Sequence, residues 1–267
     1  MKKVCFLIGG LGNVFFQLSR TKYPDKDVFY SDLLLTGIFR RILGHTDHPN
    51  VSTELFGVKK SHFFFYFLIL CIDIIMFKLS RRTLFSTLDC NFGKCSPSIS
   101  ELIYLGYFQD KESYCGHSLV EIGNILSART FVPVVDVSDA IVIHYRKGDF
   151  VALGIDLPDS YYIEMINKFR QKKSLHNVCI VTNDENSAVS LVREIRENIG
   201  NINDIRCITG DVVQDFLLLR SAKYLIGSSS TFSITAGILS ENLELAHFHS
   251  SVVSLFSSFR QDCVLID

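Results

Sequence analysis

Along this chain, hydrophobic positions alternate between short unbroken apolar runs and longer stretches in which they recur at helical spacing. The second half shows this most regularly. Apolar runs at 140–145, 178–182, 205–208 and 224–227 predict strands, and the segments 158–172, 185–198, 211–222 and 231–240 predict helices between them. A run with no polar alternation suits a strand covered on both faces, and strands alternating with helices imply a parallel sheet with crossover helices. The first half is less even. Residues 3–8 predict a strand running into the glycine loop Gly9-Gly10-Leu11-Gly12, after which Asn13 is placed to cap a helix carrying Val14, Phe15, Phe16 and Leu18. Further strands are predicted at 27–31 and 103–107, and helices at 63–79 and 112–128, the last with Leu119, Ile122 and Leu126 on one face. Pro133 and the polar cluster Asp136 to Asp139 mark a boundary, giving two α/β domains, 1–135 and 136–267.

Composition narrows the function. With 27 basic and 28 acidic residues in 267, the charges nearly cancel, so the molecule as a whole does not attract nucleic acid. Any anion site is therefore local. The eight cysteines lack paired metal-ligand spacings and several sit in apolar runs, which reads as reduced, mostly buried thiols; Cys90 with Cys95 is a poor zinc pair. The start Lys2-Lys3-Val4-Cys5-Phe6-Leu7-Ile8 is better read as a strand than as an export signal, because Gly9-Gly10 breaks the apolar run. Residues 63–79 hold 15 apolar residues of 17, interrupted by Asp73 and Lys78, too short a run to span a bilayer comfortably. A buried core helix is the favoured reading. The alternative is an interfacial helix, with Arg81 and Arg82 at lipid headgroups and peripheral membrane contact through 63–82.

Four segments carry candidate chemistry. The glycine loop Gly9 to Asn13 lets backbone approach a ligand but lacks the spacing of a dinucleotide fingerprint. The strand ending His144-Tyr145-Arg146-Lys147-Gly148-Asp149 aims a planar guanidinium at the carboxyl end of a buried strand, where α/β sheets bind ligands. Alternation sends Lys147 to the other face as a peripheral charge, and Asp149 is suited to orienting Arg146 or the turn. Thr182-Asn183-Asp184 ends the next strand, where Thr182 or Asn183 can cap the following helix or reach a base or ribose. Ser228 to Ser233 closes a buried strand and opens a helix, a site for anions on unpaired amides, with Asp215 early in the preceding helix.

In order and spacing these segments resemble glycosyltransferase family 11, the α-1,2-fucosyltransferases, in a bacterial surface-polysaccharide member. The family's GGLGNQMFQ-like loop stands here as Gly9 to Gln17, its GYFQ-like segment as Gly106-Tyr107-Phe108-Gln109 and its HxRRGDY-like motif as His144 to Phe150. The late motif runs from Asp215 to Ser230-Thr231-Phe232-Ser233-Ile234-Thr235-Ala236. Lys147 replaces the usual second arginine, Ser229 a usual asparagine, and Ile234-Thr235 a tryptophan pair.

The resemblance implies a GT-B-type architecture, two Rossmann-like halves with parallel sheets, the first facing the acceptor and the second binding GDP-L-fucose. It implies inverting transfer to the 2-hydroxyl of a terminal galactose on a glycan or lipid-linked oligosaccharide, in the cytoplasm or at the inner face of its membrane. No cofactor or metal is expected, GDP-L-fucose being the donor substrate. Arg146 is the expected catalytic residue; His144, Asn13, Gly12, Asp215, Ser230, Thr231 and Asn183 are expected to bind donor. Asp149, Asp156 and Asp184 are the candidate general bases by residue type. A different linkage such as α-1,6, or a non-catalytic nucleotide-sugar-binding scaffold, are the alternatives.

Overall fold

The computed structural model describes residues 3–7, 9–21, 27–31, 64–80, 86–89, 103–106, 122, 124, 135–257 and 263–265. The expected helix at 112–128 (apart from Ile122 and Asn124), residues 107–110, Pro133, Arg81 and Arg82, and the Cys90–Cys95 pair lie outside them. The chain divides into two compact units, Met1–Thr130 and Phe131–Asp267. Each carries a parallel sheet, so the α/β class read from the sequence is the class of the protein.

In the first unit, β1 (Lys3–Phe6), β2 (Val28–Ser31), β3 (Ser86–Asp89) and β4 (Ile103–Gly106) form a sheet in the order β2-β1-β4-β3. Helix α1 (Leu11–Arg20) follows the glycine loop. It begins three residues earlier than a cap at Asn13 predicts, and Asn13 is not its cap. Gly9 at φ 75° and Gly10 in extended conformation complete the turn, so Gly10 is the N-cap and the Asn13 amide is already bonded to the Gly10 carbonyl at 2.9 Å. The positive φ of Gly9 is the part of this turn that calls for a glycine.

Helix α2 (Phe64–Ser80) corrects the buried-helix expectation in part. Leu70 and Asp73 are buried, and Leu70 joins Val4, Phe6 and Ile103 in a core cluster on the sheet. The opposite face, with Ile72, Ile75 and Leu79, is exposed. The cysteines likewise divide: Cys5 and Cys179 are buried as expected, whereas Cys207 is exposed.

The second unit contains β5 (Ala140–Tyr145), α3 (Asp149–Leu153), α4 (Asp159–Lys172), β6 (Asn177–Thr182), α5 (Glu185–Asn198), β7 (Asp204–Ile208), α6 (Val212–Ser221), β8 (Tyr224–Ile226), α7 (Thr231–Ile238), β9 (Leu245–His247), α8 (Ser250–Ser257) and β10 (Val264–Leu265). The order β10-β9-β8-β5-β6-β7 makes β5 the first strand, with later strands added outward on one side and then on the other. That is the Rossmann arrangement, whose reversal falls between the first and fourth strands. All six residues of β5 are buried, as its unbroken apolar run predicts, while β7 and β10 at the sheet edges are partly exposed. Tyr145, Tyr162, Met165, Ile166, Phe169, Leu191 and Ile195 pack one face, and the burial of such a cluster is the main favourable term in holding the unit together.

Candidate active site

The reversal point brings the ends of β5 and β8 side by side, registered from Ile141 with Tyr224 to Ile143 with Ile226. Two of the four sequence segments therefore meet. Beyond β5 come Arg146 and Lys147; beyond β8 come Gly227 and Ser228 to Ser230. A buried hydrogen bond of 2.9 Å between His144 Nδ1 and Ser228 Oγ ties the two strand ends together.

Arg146 is held by Asp149. Its Nη2 donates to Asp149 Oδ2 at 3.0 Å, and the guanidinium lies 5.5 Å from the Phe150 ring. Among the described residues Arg146 Nε and Asp149 Oδ1 are both buried with no hydrogen-bond partner. Buried donors and acceptors are nearly always satisfied, so this cluster has polar capacity in reserve. Gly148 makes the arrangement feasible. Its φ of +56° turns the chain back so that Asp149 reaches Arg146, and a side chain there would meet Asn183 Nδ2 at 3.1 Å. Asn183 thus lies exposed against the same turn.

Lys147 is not a peripheral charge. Alternation does turn it away from Arg146, but its Nζ donates to Asp156 Oδ2 at 2.9 Å and to the Leu157 carbonyl at 2.7 Å, with Asp159 3.9 Å away. Only 12% of its side chain is exposed. Two neighbouring cations on one strand end therefore grip the two ends of the segment 149–156. Ser229 adds a third tie, donating to the Ile155 carbonyl at 3.0 Å.

The three serines beyond β8 have three different partners. Ser228 meets His144, Ser229 meets Ile155, and Ser230 is the N-cap of α7, accepting from the Phe232 amide at 3.2 Å. Thr231 is the first helical residue. The positive end of α7 accordingly points where β8 ends, next to β5. His144 is neutral: burial first, and the Arg146 charge second, push its pKa down to about 3. It can offer a hydrogen bond but no charge. Its ring packs 5.4 Å from Phe232, linking β5 to α7.

Asp215 lies in the first turn of α6, its Oδ1 accepting from the Gly210 amide at 2.9 Å. Burial raises its pKa to about 6, with Asp211 also pushing it up, against the Gly210 hydrogen bond and the charge of Arg146. Arg146 is therefore within electrostatic range of Asp215. The carboxyl is normally ionised from about pH 4, so between about pH 4 and 6 the unfolded chain releases a proton that the folded chain keeps. Stability consequently falls as pH rises through that window, and the penalty persists above it. Asp215→Asn keeps an acceptor for Gly210 and removes the charge. It is expected to flatten that slope and to raise stability at pH 7 by about 1 kcal/mol, discounted for partial exposure. Denaturant unfolding of both proteins at pH 4.5 and 7 checks this, and parallel slopes would contradict it.

The three candidate bases are already committed as acceptors. Asp149 holds Arg146; Asp156 is held by Lys147, which lowers its pKa; and Asp184 is the N-cap of α5. Asp184 accepts from the amides of Asn186 and Ser187 and from Ser187 Oγ at 2.7 Å, which lowers its pKa in turn. The cap is therefore neither Thr182 nor Asn183; Thr182 Oγ1 instead accepts from the Asp184 amide at 3.1 Å and braces the turn. Of Asp156, Asp184 and Asp215, it is Asp215 whose affinity for a proton lies nearest neutrality, a property set by burial that residue type does not reveal. Gly12 and Asn13 belong to the first unit, in the opening turn of α1, where Gly12 is buried and Asn13 half-buried.

Comparison with known proteins adds three findings. The sequence profile of Glycosyl transferase family 11 matches residues 89–257, more than half of the chain. Among solved structures, the glycosyl transferase family 9 protein from Veillonella parvula DSM 2008 is similar, at 10% identity over 99% of this chain and 86% of that one, with a TM-score of 0.44. The fucosyltransferase NodZ from Bradyrhizobium is similar at 9% identity over 90% of this chain and 92% of that one, with a TM-score of 0.36. No curated protein sequence matches the chain.

Proposed function

The chain belongs to glycosyl transferase family 11, and from that premise we propose that it transfers L-fucose from GDP-L-fucose, with inversion, to the 2-hydroxyl of a terminal galactose. The observation that carries this reading is Arg146, fixed by Asp149 at the strand reversal beside the amino terminus of α7. A guanidinium and a helix amino terminus at neighbouring strand ends suit a diphosphate.

In this reading the galactose oxygen attacks fucose C1 as the bond from C1 to the β-phosphate oxygen breaks, and negative charge grows on the departing GDP. Arg146 stabilises that charge, and being fixed beforehand it needs no reorganisation to do so. His144 acts as a neutral hydrogen-bonding group and as a brace for Ser228. Ser230 and Thr231 present the start of α7 to the phosphates, Asn183 reaches the ribose side, and Asp215 lies beside the nucleotide. Gly12 and Asn13, in the opening turn of α1 of the first unit, are assigned to donor by the resemblance of the glycine loop to the family's. The enzyme works in the cytoplasm, in surface-polysaccharide synthesis, on a galactose-terminated glycan or lipid-linked oligosaccharide, and without a metal.

The test is to incubate purified protein with GDP-L-fucose and a panel of β-galactosides, and to locate the new bond by NMR. An α-1,2 linkage supports the proposal. Another linkage would keep the donor and overturn the acceptor; failure with every galactoside, and no release of GDP, would overturn the transferase reading and leave a binding protein.

A further inference from the structure

Helix α2 has an unusual distribution of polarity. Leu68, Ile72, Ile75, Met76 and Leu79 are 47%, 58%, 59%, 36% and 80% exposed. At about 100° per residue they fall within an arc of about 100°, a single stripe down a helix some 25 Å long. The helix's one acid, Asp73, is fully buried, while Leu70 and the partly buried Tyr66, Phe67, Ile69 and Ile74 pack on the sheet of the first unit. A helix facing water has the reverse pattern. Here the apolar stripe faces outward and the carboxylate inward, so the outer face is suited to an apolar neighbour.

Charge in the surrounding sequence selects that neighbour. From residue 55 to residue 88 the chain has five basic residues, Lys59, Lys60, Lys78, Arg81 and Arg82, and Asp73 as its sole acid, although the whole chain has a net charge of -1. In sequence the excess is cationic before and after the helix, with Glu54 and Asp89 the next acids outward, and the acid within the helix is turned away. Apolar side chains flanked by lysine and arginine match a bilayer interface containing anionic lipid, in which the stripe enters the acyl boundary and the cations meet headgroup phosphates. No helix among the described residues is long and apolar enough to cross a membrane. Since one face of α2 is occupied by the sheet, the helix is available only for lying on a surface.

We propose that the exposed stripe of α2 docks this protein on an anionic phospholipid surface. This inference is independent of the transferase reading, because it rests on the first unit alone and is read by binding. The full-length protein is floated with vesicles of phosphatidylglycerol mixed with phosphatidylcholine, and with phosphatidylcholine alone. It should float with the anionic vesicles, weaken as salt is raised, and bind the neutral ones at least about tenfold less. The double variant I75E/L79E should lose anionic binding about tenfold or more with an unchanged circular dichroism spectrum and melting temperature. R81Q/R82Q should weaken the anionic preference, and V189E, at an exposed position on α5 of the other unit, should bind like wild type. Absence of flotation by the wild type would overturn the proposal, as would full binding by I75E/L79E or equal binding to both vesicles. So would a concentration-dependent dimer dispersed by I75E/L79E, which would assign the stripe to a second copy, or a drop in melting temperature in that variant, which would assign it to another part of this chain.

Discussion

Arg146→Ala is expected to lower kcat for the proposed fucosyl transfer by about a hundredfold or more while leaving the melting temperature near that of the wild type. The magnitude follows from position. The guanidinium is fixed beforehand by Asp149 at 3.0 Å and by the Phe150 ring, so in the proposed reaction its charge is fully available to a phosphate whose negative charge grows as the bond breaks. The fold has little at stake, since the ion pair is partly exposed, with 22% of each side chain accessible, and pairs of that kind contribute about 1 kcal/mol or less. Arg146→Lys separates charge from shape. A lysine keeps the positive charge but loses the planar fork, and should recover only part of the rate. Steady-state kinetics with GDP-L-fucose, together with thermal melts, decide the matter. Near-normal turnover by a folded Arg146→Ala protein would sink the assignment.

Gly227→Ala is expected to destabilise the second unit by about 3 kcal/mol, a large effect for the addition of a single methyl group. Gly227 links β8 to the three serines. Its amide donates to the His247 carbonyl at 2.8 Å and its carbonyl accepts from Tyr161 at 3.1 Å, so the backbone is held from both sides. A β-carbon would fall against the edge of Phe248, 2.6 Å from Cε1, and 3.1 Å from Ser233 Oγ. Phe248 cannot retreat, being 1% exposed and packed 4.5 Å from the buried Phe256. The strain therefore passes into Ser228 and the start of α7, so activity should fall with stability. Gly200→Ala is the control, because a β-carbon there meets nothing within 4 Å, and its effect should stay within about 0.5 kcal/mol. Urea unfolding of the three proteins gives the comparison. Equal midpoints would show that Phe248 moves more easily than its packing indicates.

Legibility from sequence followed burial. The strands β5, β6 and β8 and the helices between them were readable because central parallel strands are apolar throughout and their crossover helices carry an apolar face. The strands that escaped notice are short or peripheral: β3, with Ser86 and Asp89 at its ends, β9 of three residues and β10 of two. Arg146 and the serine run were visible as strand-end polar residues, and only the strand order showed that β5 and β8 are neighbours. The partners of Lys147 lay nine to twelve positions away through a turn, beyond the reach of alternation. The proton affinity of Asp215 depends on burial by distant residues and leaves no trace in local spacing. For α2 the obstacle was different, because a helix apolar all round does not disclose which side the sheet will take.

The segment between Arg146 and Asp156 is closed like a link of chain, its two ends fastened to adjacent residues just beyond one strand. Apart from Phe150, what lies between those fastenings bears little on where the guanidinium sits. Asp149–Leu153 buries no residue, and Gly154, at φ +66° with open space around it, is already the apex of a turn. Length inserted at Gly154 would be accommodated outside the link. This makes the apex a site where the chain can be lengthened, labelled or fitted with new contacts beside the proposed donor site while the Arg146–Asp149 pair keeps its place.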